Sequence, residues 1–164
     1  MHNKVVYRVA RGLRRTSHVV LRFNYRGVNL SEGSYAQGEG ELDDARAALA
    51  YLRGRYPDLP YTLAGFSFGS RIALRLGCGN GAVGPSRIIA VGFPTAYWNR
   101  ANLEGCEIPR VFIQSTNDEF GAVADLRATV EALPEPKRLI LIEARDHYFN
   151  GSLEQLEEEI VRLG

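Results

Sequence analysis

Three short stretches of this sequence carry residue types that do nucleophilic chemistry. The first is Gly65-Phe66-Ser67-Phe68-Gly69, a GxSxG pattern. A serine hydroxyl attacks a carbonyl when a base takes its proton and the backbone presents it on a sharp, exposed turn. Glycines two places before and after the serine suit such a turn, because no side chain collides where a strand hands over to a helix. The N–H of Phe68 would then point at the oxygen that becomes negative during attack. The bland alternative is a tight turn whose serine merely caps the following helix. The second stretch is Asn117-Asp118-Glu119. A carboxylate there could orient an imidazole, although an aspartate in a loop is more commonly a turn or cap residue. Glu119 is the neighbouring alternative acid. The third is Asp146-His147-Tyr148-Phe149. His147 is the base this chemistry needs; a loop histidine with no role is its alternative.

These groups matter only if the fold brings them together, and the intervening pattern says how. Val5, Val9 and Leu13 lie one helical turn apart, so residues 4–15 read as a helix, with Asn3 as its N-cap. Residues 41–55 repeat Leu42, Ala45, Leu49 and Leu52, with acids in the first turn that suit the helix dipole. Residues 68–76, 123–133 and the closing Leu153, Leu156, Ile160 and Leu163 read as further helices. Between them stand apolar runs at His18–Phe23, Tyr61–Phe66, Arg87–Phe93, Arg110–Ser115 and Arg138–Ala144. Strands alternating with helices predict a single α/β domain over residues 1–164, with a mostly parallel sheet of about five strands covered by helices on both faces. In such sheets ligands meet the carboxyl ends of the strands. Ser67, Asp118 and His147 each follow such an end, on three different runs. Of the other two histidines, His2 is near the start of the sequence and His18 opens a run at its amino end.

Composition narrows the classes. The 164 residues carry 20 basic and 19 acidic side chains, so neither a nucleic-acid footprint nor an acidic tail dominates. No apolar run approaches the ~20 residues of a membrane span, and no secretory signal is visible. The two cysteines, Cys78 and Cys106, form no CxxC pair and no disulfide framework, which makes a reducing, cytoplasmic setting the expectation. No HExxH, histidine cluster or GxGxxG is present, so neither a metal nor a cofactor is expected.

The chain order Ser67, Asp118, His147 is that of the α/β-hydrolases. Further stretches extend the likeness over essentially the whole sequence. Leu21-Arg22-Phe23-Asn24-Tyr25-Arg26-Gly27-Val28, Ser31-Glu32-Gly33 and Gly38-Glu39-Gly40-Glu41-Leu42-Asp43-Asp44 resemble small bacterial α/β-hydrolases of the dienelactone-hydrolase-like group. The resemblance implies Ser67 as nucleophile, Asp118 as acid and His147 as base, and a three-layer α/β/α fold. Asn29 stands where the family usually has glycine; asparagine tolerates a left-handed backbone, so the turn can survive. A larger departure concerns the beginning. In the family a strand and a glycine-rich loop precede the residues resembling Met1 to Val6. The expectation is therefore an incomplete, N-terminally truncated α/β-hydrolase fold. The absent loop would supply a second oxyanion donor, whose loss typically costs about 10²–10³ in turnover. The absent strand would lie between His18–Phe23 and Tyr61–Phe66. Those two runs must then pair directly or face each other as open edges, a route to a homo-oligomer.

The remaining candidates are weaker. Arg22 and Arg26 could bind an anion, but ion pairs with Glu32, Glu39 or Glu41 explain them better. Tyr97 and Trp98 could line an acyl pocket in a connection too short for a lid domain. Phe66, Phe68 and Cys78 read as packing residues. The reading is a serine hydrolase acting on a small ester, thioester or lactone, with a small-molecule acyl substrate and neither nucleic acid nor membrane as partner. The alternatives are an impaired fragment or pseudoenzyme, a peptidase or amidase, and an interaction domain with a fortuitous GxSxG.

Overall fold

Four of the five apolar runs become strands of one parallel sheet. The computed structural model describes residues 3–79, 84–97 and 103–164. Its elements, in chain order, are α1 (Lys4–Arg15), α2 (Glu39–Arg55), β1 (Thr62–Phe66), α3 (Phe68–Gly77), β2 (Arg87–Val91), a short 3-10 turn (Thr95–Tyr97), β3 (Arg110–Ser115), α4 (Val123–Glu131), β4 (Lys137–Ile142) and α5 (Leu153–Leu163). The strands lie side by side in the order β1-β2-β3-β4, all parallel. Parallel neighbours cannot be joined by a two-residue hairpin, and each pair here is separated in the chain by a much longer connection.

The side-chain alternation of β2 and β3 sorts the core into two layers. Ile89, Val91, Val111 and Ile113 face α1 and α5, meeting Val5, Val9, Leu13, Leu156 and Ile160. Ile88, Ala90 and Phe112 face the other way, onto Ala73, Leu74, Leu126 and Val130 of α3 and α4. This is the expected three-layer α/β/α arrangement. The predicted stripe of α1 is its buried face, and Asn3 accepts the Val6 N–H at 3.1 Å as the N-cap. Between α1 and α5, Glu157 is almost fully buried and paired with Arg8, Arg11 and Arg15. Burial alone would raise its pKa, but the hydrogen bonds from Arg8 and Arg15 outweigh that and hold it below the usual carboxylate range.

The fifth run departs from expectation. Among the described residues, His18–Phe23 forms neither helix nor strand and belongs to no sheet. A strand needs a hydrogen-bonding neighbour, and β1 stands across a cavity of about 700 Å³. Among the described residues the two runs do not pair directly, so the sheet has four strands in place of the expected five, with β1 at one end of the order.

The cysteines also depart from expectation. Cys78, at the end of α3, is disulfide-bonded to Cys106, with Cα atoms 5.2 Å apart. Their spacing carries no such signal. The two meet because α3 and the approach to β3 pack on the same face of the sheet.

The glycine-rich loop before α2 is held by acids. Glu41 accepts the N–H groups of Ala36 and Gly38, each at 2.8 Å. Arg26 pairs with Asp44 at 2.7 Å, so its ion pair is with a residue other than the three expected acids. Arg22 lies over the Tyr7 ring, and among the described residues it has no ion pair with the expected acids. Asn29 does take the left-handed backbone expected of it, at φ 53°.

Candidate functional site

The turn after β1 is built around Ser67. Its backbone sits at φ 54°, ψ −121°, a region that costs a non-glycine residue about 1–3 kcal/mol. Two sets of hydrogen bonds hold it there. Ser67 N–H donates to Val91 O at 2.9 Å, and Ser67 O accepts from both Ser70 N–H (2.9 Å) and Ser70 Oγ (2.6 Å). The hydroxyl makes no capping bond to α3, so the helix-cap alternative does not describe it. Only one of the two flanking glycines is sterically required. A Cβ on Gly65 would lie 2.1 Å from Gly69 O, whereas a Cβ on Gly69 would meet only the Tyr25 hydroxyl, at 3.8 Å. Phe68 is the first residue of α3, so its N–H has no acceptor within the helix. Its ring packs edge-on against Tyr25 and Tyr35. Burial, reinforced by Asp44 and Glu41, pushes the Tyr25 phenol up to about 12, so it stays neutral.

Asp118 and His147 come together at the far ends of β3 and β4. His147 Nδ1 lies 2.8 Å from Asp118 Oδ2, with both side chains essentially buried. Asp118 Oδ1 accepts the N–H groups of Phe120 (2.9 Å) and Gly121 (3.0 Å). Three hydrogen bonds, two to Oδ1 and one to Oδ2, therefore fix the orientation of that carboxylate. A carboxylate at Nδ1 selects the tautomer with the proton there and leaves Nε2 as the basic nitrogen. The imidazole ring is packed against Phe66, with centroids 4.7 Å apart, and Phe66 immediately precedes Ser67. Phe120 and Tyr148 close its other sides. Gly92 makes room for this contact: a Cβ there would lie 2.8 Å from Phe66 and 3.0 Å from His147.

Several supporting residues carry no obvious sequence signal. Glu119, weighed as an alternative acid, instead accepts the backbone N–H of His147 at 2.9 Å. Asn117 donates to Ala144 O at 2.6 Å, a second tie between the loops after β3 and β4. Asp146 shapes the loop that carries His147 by accepting from Tyr148 N–H, Asn150 N–H and Asn150 Nδ2. The Asn150 side chain contributes most to holding that carboxyl below its ordinary range. Gln114, fully buried on β3, bonds Phe93 N–H and Gly121 O, each at 2.8 Å, and so ties the Asp118 loop to the end of β2. Tyr97 ends the 3-10 turn between β2 and β3, and Trp98 lies outside the described residues. Among the described residues no group of three or more His, Cys, Asp or Glu could hold a metal. None of their helices is long and apolar enough to cross a membrane.

Comparison with known proteins gives a consistent picture. Residues 1–159 match the family model described as an alpha/beta hydrolase domain. An uncharacterized protein of Rickettsia prowazekii is 32% identical over 98% of this chain and 70% of its own length. An alpha-beta serine hydrolase homologue from Coxiella burnetii superposes with a TM-score of 0.92 at 31% identity, over 99% of this chain and 77% of that one. A serine hydrolase described as without lid, from Xanthomonas campestris, gives 0.89 at 33% identity, over 99% of this chain and 72% of that one.

Proposed function

Because the chain belongs to the alpha/beta hydrolase domain family, we propose that it is a serine hydrolase that cleaves a small carboxylic ester, thioester or lactone through an acyl-enzyme. The observation that carries this reading is the buried Asp118–His147 hydrogen bond, packed through Phe66 onto the strained turn of Ser67. In the proposed reaction Ser67 Oγ attacks the carbonyl carbon while His147 Nε2 takes its proton. Asp118 holds the tautomer and stabilises the imidazolium that forms. The Phe68 N–H faces the developing oxyanion. The imidazolium then gives its proton to the leaving alcohol or thiol, and the acyl group stays on Ser67. Water, deprotonated by His147, releases the acid and restores the hydroxyl. The Xanthomonas relative's description as lacking a lid supports an open site here, with Tyr97 and Trp98 on the β2–β3 connection as candidate acyl contacts.

A second reading, a chain that folds but turns over poorly, draws on the cavity that opens the flank of β1 beside Ser67. One experiment separates the two. Purified protein and Ser67→Ala are compared for p-nitrophenyl acetate hydrolysis and for fluorophosphonate labelling read by mass spectrometry. The first reading expects labelling confined to Ser67 and turnover abolished in the variant. A folded protein with neither labelling nor turnover would refute it.

A further inference from the structure

The loop that carries His147 is closed on itself. Arg145 N–H donates to Asn150 O, and Phe149 N–H donates to Asp146 O. The Asp146 carboxylate accepts from the backbone of Tyr148 and Asn150 and from the Asn150 side chain. Phe149, fully buried in the core layer of α1 and α5, anchors the loop from below. Among the described residues, the hydrogen bonds that tie this loop to anything but its own flanking residues come from three consecutive side chains. Asn117 Nδ2 donates to Ala144 O at 2.6 Å. Asp118 Oδ2 accepts from His147 Nδ1–H at 2.8 Å. Glu119 Oε2 accepts from the His147 backbone N–H at 2.9 Å.

Two of these three bonds act on the same residue. Asp118 holds His147 by its ring. One bond to Nδ1 fixes a point, and the imidazole can still swing about that point if the His147 backbone shifts. Glu119 holds the backbone. Asp118 is buried and Glu119 is exposed, so neighbouring acids reach His147 at different places. Together they set Nε2 from both ends of the side chain. Among the described residues the His147 N–H has no other acceptor.

We propose that Glu119 is a positioning residue for the general base, whose hydrogen bond to the His147 main chain keeps Nε2 where it can take the Ser67 proton. The assignment rests on the serine-hydrolase reading above. An acceptor at this reach is what the site needs, and the charge on Glu119 is secondary. The test combines p-nitrophenyl acetate kinetics with proton NMR of His147 Nδ1–H, whose exchange with water reports the bond to Asp118. A displacement of about 1 Å costs about a hundredfold at a reacting group. Glu119→Ala, which has no acceptor, is therefore expected to lower kcat about tenfold to a hundredfold with KM within about twofold. Exchange of its Nδ1 proton should quicken about tenfold. Glu119→Gln keeps an oxygen at the same reach and should rescue both readouts to within about threefold of wild type. Glu119→Asp keeps the charge but is one methylene short, and should resemble Glu119→Ala. Melting temperatures show that each variant is folded, and if Glu119→Ala is not, the order of Gln against Asp decides. Kinetics and exchange in Glu119→Ala within about twofold of wild type would overturn the proposal. Rescue by Asp and not by Gln would overturn it as well, by making charge the contribution. Wild type with neither turnover nor Ser67 labelling would overturn the hydrolase reading and this assignment with it, whereas an active wild type with an equally active Glu119→Ala overturns the assignment alone.

Discussion

Replacing Asp118 by asparagine tests the arrangement of the site more sharply than deleting any residue. Asp118 has two separable jobs. Oδ1 accepts the N–H groups of Phe120 and Gly121, and Oδ2 accepts a hydrogen bond from His147 Nδ1–H. In Asp118→Asn the amide oxygen keeps the two backbone donors, so the loop after β3 keeps its shape. The amide NH₂ then faces Nδ1 and donates to it, which moves the imidazole proton to Nε2. A protonated Nε2 cannot take the serine proton. The expected loss in kcat is about 10⁴, equivalent to about 5.4 kcal/mol of activation free energy. Stability should move by less than about 1 kcal/mol, because no buried donor is orphaned. Asp118→Ala, by contrast, abandons two backbone N–H groups at about 1–3 kcal/mol each, and should lower both activity and melting temperature. The assays are p-nitrophenyl acetate turnover and thermal unfolding on the same samples. If Asp118→Asn kept more than a tenth of the activity, the tautomer argument would fail. If Glu119→Gln abolished turnover while Asp118→Asn did not, the acid would be Glu119.

Three further outcomes follow from the packing. Gly65→Ala should abolish folding or activity, because its Cβ would lie 2.1 Å from Gly69 O, while Gly69→Ala should keep both within about twofold; soluble yield and turnover decide between them. Closing a loop with a sequence separation of 28 stabilises by about 3.5 kcal/mol in the chain-entropy model. The Cys78→Ala, Cys106→Ala double variant should therefore melt about 10 °C lower, and an unchanged melting temperature would show that the bridge contributes nothing. Glu157 has its folded pKa depressed, so its contribution is present above the ordinary carboxylate range and is lost as pH falls through the lower folded value. Denaturant unfolding from pH 7 down to pH 3 should show a shallower decline for Glu157→Gln than for wild type, and parallel curves would contradict the assignment.

Much of this protein is legible along the chain because helices and buried strands leave local marks. α1, α3 and α5 follow their apolar stripes to within a residue or two, and β3 occupies the whole of the run Arg110–Ser115. The candidate residues were legible for a related reason: each stands just beyond an apolar run, where a parallel sheet gathers its chemistry. Periodicity, however, describes one segment and not what lies beside it. His18–Phe23 has a strand's composition and even a strand's alternating exposure, yet no ladder forms, because its neighbour is a cavity. Arg26 met Asp44, eighteen residues on, in place of the nearer acids that charge alone suggests.

What the sequence determined by itself is therefore the α/β alternation, the Asn3 cap and the apolar stripes of the helices, and the order in which serine, acid and histidine arrive. Tertiary structure decided the contacts between distant residues: the Cys78–Cys106 bridge, the Glu119 hold on the His147 backbone, and the Phe66 ring that joins the imidazole to the serine turn. The physical reason is one of range. Backbone preference and amphipathicity act within a few residues and are written at each position. Hydrogen-bond partners, disulfides and strand neighbours depend on which surfaces meet once the layers close.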